Sequence, residues 1–494
     1  MPSTDESRRL LLGQLAALGL GCTSLNACGG GGTDAAAPSP AAGPTPAPSP
    51  PAPPPAPPPP PPPPPPQGRV VQATPDDYLG KLAQLRAGDT LVLQAGNYGV
   101  DAQGRDTASA PGLPIFDLNG TATSPIVITG PDSGPMPVLL GRSTHNTIRF
   151  ANASHVVVRR LVVDGRDRGG FGVAVQGPCH HITIEDNIFR GQGSDQGIVA
   201  ISTTGRPTWG WVIRRNEISG AGTGMYLGNS NGDSPFVDGL IEGNLVRDCI
   251  GYCIQIKHQV AWGSVPAGMP TGRTTTIIRH NVFAKSGNSS TGGMARPNLL
   301  VGDQPPSGPG SSNGFAIYGN LFHLNATESL FQGEGNIAFY DNVMVTTGTA
   351  IRIQRHNGVV RDVRVFHNTI VAGDLGMSIG GGAAGFSQRA IGNAVFASGT
   401  PISLGGGATG AGNITDLRAN APGYLNNPLA AIGSLDLYPR TGMLRAAAVD
   451  LTGLDAYPDW NRDFNGTARD PAYRGAYSGE GTNPGWTLAL ARKP

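Results

Sequence analysis

From Ile184 onward, apolar residues bracket an asparagine in a recurring frame, apolar-x-x-Asn-x-apolar. Ile184-Glu185-Asp186-Asn187-Ile188-Phe189 is one copy, and Ile213-Arg214-Arg215-Asn216-Glu217-Ile218 is the next. Ile241-Glu242-Gly243-Asn244-Leu245-Val246, Ile278-Arg279-His280-Asn281-Val282-Phe283 and Ile317-Tyr318-Gly319-Asn320-Leu321-Phe322 follow. Later copies centre on Asn342, Asn368 and Asn393, and residues 156–163 read as an earlier turn with Leu161 in the Asn position. The Asn-to-Asn steps run from 22 to 39 residues. That period suits one coil of a parallel β-helix, in which each coil lays a short strand on the coil below, about 4.8 Å away. Alternate apolar residues then point inward. The Asn fits a turn because it tolerates the left-handed region and bonds nearby backbone, and stacked Asn side chains bond along the axis. A leucine-rich solenoid would show recurrent Leu-x-x-Leu-x-Leu, which is absent.

A second strand is expected after each Asn turn, over residues 197–202, 224–228, 252–257, 298–302, 329–332 and 350–354. The two longest steps mark insertions near residues 260–275 and 286–314, and inserted solenoid loops gather on a face and often bind. An open end exposes the core. Thr74-Pro75-Asp76-Asp77 reads as an N-cap, a Pro at N1 and an acidic first turn. With Tyr78, Leu79, Leu82 and Leu85 at helical spacing, it predicts a capping helix over residues 75–86. Gly88-Asp89-Thr90-Leu91-Val92-Leu93 then starts the first strand, and Gly96-Asn97-Tyr98 turns it. The fold class is all-β: a single-stranded right-handed parallel β-helix, expected as a monomer, with a short N-terminal capping helix.

Composition adds the ends. Gly and Pro number 74 and 45, charged residues are 14 % of the 494, and the net charge of +1 gives no global field for nucleic acid. Residues 38–66 are almost entirely Pro, Ala and Ser, a composition that predicts extended polyproline II at about 3.1 Å per residue, a semi-rigid spacer of roughly 80–90 Å. Ser7-Arg8-Arg9-Leu10-Leu11-Leu12 resembles a twin-arginine export signal. Leu25-Asn26-Ala27-Cys28 resembles a bacterial lipobox, which implies cleavage before Cys28 and lipidation of that residue. The chain divides into an export signal at 1–28, a Gly/Pro-rich linker at 29–67 and the β-helix at 68–494. An exported protein is expected, lipid-anchored to a membrane through Cys28, in the periplasm or at the cell surface. Cys179, Cys249 and Cys253 read as buried thiols, since an odd count argues against a disulfide framework. No metal-type Cys/His spacing is present.

The opening from Pro75 to Tyr98 resembles that of polysaccharide lyases of the chondroitinase B and alginate lyase type (polysaccharide lyase family six). Asp463-Phe464-Asn465-Gly466, Arg469 and Gly475-Ala476-Tyr477 resemble the closing segment of many secreted β-helix proteins. Gly251-Tyr252-Cys253-Ile254-Gln255-Ile256-Lys257-His258 looks like the catalytic-Lys strand of those lyases. The resemblance implies Lys257 as Brønsted base and an Arg one coil later as acid. Arg296 is the nearest match by local pattern, and Arg279 is the weaker choice. Tyr252 and Ile254 stand where the family strand often carries two Glu residues for calcium, so calcium is the one cofactor left open.

The residues themselves say the following. If Ile254 and Ile256 point inward, Gln255 and Lys257 point outward. Gly228 then lies below Lys257 and Gly302 above it, leaving a groove with one cation standing in it. Just past these strands come Asn229, His258, Asp303, Glu334, Arg355 and His356, expected to stack as a polar strip for a linear polymer. β-Elimination needs a base for the C5 proton of a uronate, neutralisation of its carboxylate and an acid at the leaving oxygen. The catalytic candidates are Lys257, Arg296 and His258. Asn229, Asp303, Glu334, Arg355 and His356 are the substrate-binding candidates. A lyase acting on an acidic polysaccharide is the first reading. A non-catalytic glycan-binding or envelope-decorating β-helix is the second. A glycoside hydrolase is the third, against which no Asp pair on a second strand is found.

Overall fold

The computed structural model describes residues 68–99 and 112–494. The export signal, Cys28 and the proline-rich stalk lie outside the described residues. Three parallel sheets wind around one core. The first, sheet A, has 15 strands and runs from Val70–Ala73 to Thr409–Ala411; sheet B has 12, from Asn97–Tyr98 to Ile414–Leu417; sheet C has 11, from Leu113–Phe116 to Ile402–Leu404. The chain is a parallel β-helix. A coil reads A, Asn corner, B, C: Leu240–Glu242, Leu245–Arg247 and Ile254–Ile256 are followed by Thr275–Arg279 in the next coil. The residues after each Asn therefore form a strand of their own, and the expected second strand is the third.

Register keeps like on like. Ile213 pairs with Ile241, Ile241 with Ile278 and Ile278 with Ile317, all fully buried. Each such side chain contributes about 1.5–3 kcal/mol by leaving water. The Asn corner is a continuous amide ladder. Asn281 Nδ2 donates to Asn320 Oδ1 at 3.0 Å and to the Ile241 carbonyl at 2.9 Å, while its Oδ1 accepts from the Asn244 amide N–H at 3.0 Å. The same bonds run from Asn187 to Asn413. Asn413 adds a rung that the sequence pattern did not mark, because Gly410-Ala411-Gly412 precedes it without an apolar flank. Leu161 takes the Asn position below, its amide N–H donating to Asn187 Oδ1 at 3.0 Å. The left-handed residue is not the Asn but the one before it: Asp186, Arg215, His280, Asp341 and His367 all have φ between 52° and 56°.

At the N-terminal end a strand missed in the sequence, Val70–Ala73, pairs with Thr90–Leu93. The capping helix is shorter than expected, Tyr78–Leu82, and its N-cap is Asp77. Thr74 instead closes a turn, its amide N–H donating to the Asp77 carboxylate at 2.8 Å and its carbonyl accepting from Tyr78. Tyr78, Leu82 and Leu85 still join the core. The three thiols are free and buried.

The closing segment lies along the flank rather than over the end. Leu435, Phe464, Tyr477 and Leu488 pack on the outward residues Leu245, Val282, Leu321, Val343 and Phe396 of sheet B. Leu454 packs on Tyr318, Tyr340 and Phe366 of sheet A. Buried Arg469 pairs with buried Asp341, Arg474 Nε donates to the Gly412 carbonyl, Lys493 Nζ to that of Gly319 and Arg492 to that of Arg215. Among the described residues no comparable apolar cluster covers the outer face of sheet C.

Candidate functional site

The open face of sheet C carries a groove of about 750 Å³. Its floor and walls come from successive coils: Val199, Thr223, Tyr226, Gln255 and Lys257, with Asn229, Tyr252 and Arg296 contributed by the adjoining turns and loop. Ile254 and Ile256 are fully buried, so alternation sends Gln255 and Lys257 to the groove side. Gly228, with φ of 78°, stands beside Lys257. On the other side, a Cβ on Gly302 would fall 2.2 Å from the His258 amide nitrogen, so no side chain rises there.

Lys257 Nζ lies 5.8 Å from the centre of the Tyr226 ring. Among the described residues it has neither a hydrogen-bond acceptor nor a carboxylate at ion-pair distance. Burial pushes its pKa below the ordinary lysine value, partly opposed by Glu334 and reinforced by Arg296. Arg296 faces the same groove, its guanidinium 5.7 Å from the Tyr252 ring centre. Its Nη1 donates to the carbonyls of Gly293 at 3.0 Å and Ala295 at 2.8 Å, and no carboxylate pairs with it among the described residues. Buried Lys285 and Asn325 donate to the Arg296 carbonyl at 3.1 and 2.9 Å, fixing the loop that presents it. Tyr226 and Tyr252 are held neutral, burial raising both phenols, and the Tyr226 hydroxyl lies 2.7 Å from Ser230 Oγ.

The expected polar strip assembles in part: Glu334, His356 and Asp303 lie near enough to His258 to act on its charge, but the two acids are already engaged. Asn229 lines the groove, with its amide bonded to Asp233 at 2.5 Å and Ser234 at 3.1 Å. Asp303 is buried, paired with Arg361 at 2.7 Å and accepting from the Val359 amide. The Glu334 carboxylate, 2 % exposed, accepts the backbone N–H groups of His356, Asn357 and Gly358 at 2.8–3.0 Å. Both acids thus hold a loop in place, because three successive amides satisfy a buried carboxylate better than a distant ligand could. His258 faces a separate hollow of about 430 Å³ with Asp303 and Arg361. Arg355 and His356 are exposed on the loop that Glu334 anchors. Arg279 lies on sheet A, bonded to Glu242, Tyr318 and Asp459, away from the groove.

Sequence reasoning missed Tyr226 and Tyr252 as lining residues, and it turned Gln255 outward without giving it a role. The available signal was alternation: Tyr226 is the outward neighbour of Gln255 in register. Calcium does not fit the groove. It needs six to eight oxygen ligands, mostly carboxylate or carbonyl, whereas Asp195 is the only carboxylate among the lining residues and two cations face it. Ile254, at the position where the family carries a ligand, points into the core.

Comparison with solved structures returns carbohydrate-active enzymes of low identity. The catalytic unit of an α-1,3-glucanase from Streptomyces thermodiastaticus matches at 13 % identity and TM-score 0.42, over 71 % of this chain and 70 % of that one. Pectate lyase Pel9A matches at 11 % identity and TM-score 0.40, over 87 % and 97 %. A family 6 polysaccharide lyase from Pseudopedobacter saltans matches at 13 % identity and TM-score 0.34, over 71 % and 93 %. The likeness is one of fold. No family model matches the chain, and no curated protein matches it in sequence.

Proposed function

We propose that this chain is an exported, lipid-anchored polysaccharide lyase that cleaves a uronate-containing polymer by β-elimination in the groove of sheet C. One observation carries the reading: two cations, Lys257 and Arg296, face one groove with neither paired to a carboxylate. An unpaired pair of cations in a partly dry cleft favours an anionic ligand. Arg296 neutralises the uronate carboxylate, which acidifies the C5 proton. Lys257, whose pKa burial lowers, takes that proton as the free amine. The C4–O bond breaks, the C4–C5 double bond forms, and the neutral phenol of Tyr226 gives its proton to the leaving oxygen. Cys28 and the stalk hold the groove off the membrane.

The test presents alginate, pectate, hyaluronan and chondroitin to the mature protein and follows the ultraviolet absorbance of the unsaturated uronate. A rise on one polymer that disappears in Lys257→Ala supports the reading. Binding of a polymer without any rise would move the protein to the non-catalytic reading. Turnover undiminished in Lys257→Ala would refute the assigned base.

A further inference from the structure

Three imidazoles meet on the outer corner of sheet A, where the groove has no residue. His155 lies in the strand Ala153–Arg159, and His180 and His181 lie in Cys179–Glu185 directly above it. Ser154 pairs with His180 and Val156 with Ile182, so His181 sits over His155. Both have left-handed backbones, φ 52° and 53°, and their rings stack with centroids 4.6 Å apart at 15°. His180 stands across them at 85–88°, with centroids 5.0 and 5.8 Å away. Trp209 of the next coil stacks on its other face at 4.6 Å. Gly210 completes the pocket, since a Cβ there would fall 2.9 Å from the His181 ring. His180 Nδ1 and His181 Nδ1 lie 2.7 Å apart, and one ring nitrogen from each of the three residues falls within 4.8 Å of the others.

We infer that His155, His180 and His181 form a site for a divalent first-row transition-metal ion, with a coordination position open to solvent. Three neutral nitrogen donors with no carboxylate suit zinc or copper(II) and not calcium or magnesium. Zinc-bound nitrogens at 2.0–2.1 Å lie about 3.3 Å apart, so small rotations of the rings about χ1 and χ2 close the set. The stack on Trp209 orients His180, the paired left-handed turns set the backbone of the other two while leaving their rings free to turn, and His181 is exposed, so an ion enters without moving backbone. Bridging two coils, the ion ties Ala153–Arg159 to Cys179–Glu185.

The test titrates the full chain with zinc sulfate by calorimetry, with calcium chloride as the counter-example. One saturable zinc site is expected, with no comparable calcium binding. His155→Ala and His181→Ala each weaken it about tenfold or more, while exposed His356→Ala leaves it unchanged. His181→Asn, which tolerates the same backbone, gives the same loss in a chain whose melting is otherwise unaltered. Copper(II) resonance spectra of the loaded protein show nitrogen coupling that falls in the His155→Ala variant. No saturable zinc site, or zinc binding undiminished in the His155→Ala, His181→Ala double variant, would overturn the inference.

Discussion

The Asn corner and the sheet C groove are built on opposite rules. At the corner every amide of the ladder is satisfied: Asn320 Oδ1 accepts from the Asn281 amide N–H and from Asn281 Nδ2, and its own Nδ2 donates to Ile278 and Asn342. In the groove, Lys257 and Arg296 are left without counter-charge, and a glycine on each side removes what could have covered Lys257. Lysine elsewhere in the chain behaves otherwise. Lys285, buried to 2 % exposure, is bonded to two carbonyls. The contrast is between a repeated corner that closes its own hydrogen bonds and a groove that leaves two cations without counter-charge; an unmet polar atom alone is no mark of function, since both ring nitrogens of fully buried His367 also lack a partner.

Four results would break or sharpen that contrast. Lys257→Ala should lower turnover about 10²–10⁴-fold with an unchanged melting temperature; a matching loss of stability would make Lys257 a structural residue. Asn320→Ala should do the reverse. It strands the partners of four buried hydrogen bonds and should cost about 3 kcal/mol in chemical denaturation, near a hundredfold in the folding constant, with activity per folded molecule retained. The pH dependence is next. Lys257 acts as the free amine, so turnover should rise about tenfold per unit along one limb and level off below the ordinary lysine value of 10.5; a limb centred at or above that value would deny the desolvated base. The smallest effect is at the top of the ladder. Asn413 accepts from Asn393 and is only half-buried, with no amide above it, so Asn413→Ala should cost about 1 kcal/mol.

The ladder was legible because every coil repeats the same demand, and the Asn at each corner answers it in the same place. Lys257 and Arg296 were found by local pattern, and the structure brings both to one groove. The engagement of the strip's acids was not legible, because the amides that take up Glu334 belong to residues 356–358, whose backbone direction no side-chain pattern encodes. Asp303 was lost in the same way to Arg361 and Val359. The capping helix was overextended because Pro75 and Asp76 suit a turn as well as a first helical turn. The histidine cluster escaped because linear spacing was the wrong measure. His155 and His181 are separated by one coil step, the same 26 residues that separate Leu161 from Asn187. In a β-helix the coil step, and not the spacing along the strand, decides which ligands meet.

The C-terminal segment changes the kind of molecule this is. A solenoid with contacts only between neighbouring coils is a one-dimensional lattice, free to fray from either end, with a stability that adds up coil by coil. Here Arg474 grips the carbonyl of Gly412 while Arg492 grips that of Arg215, with Arg469 and Lys493 fastened to the coils between. Loss of any one coil in that span strains all the rest through a single strap. The lattice acquires long-range coupling, and the part of the chain that holds Lys257 melts with its neighbours or not at all.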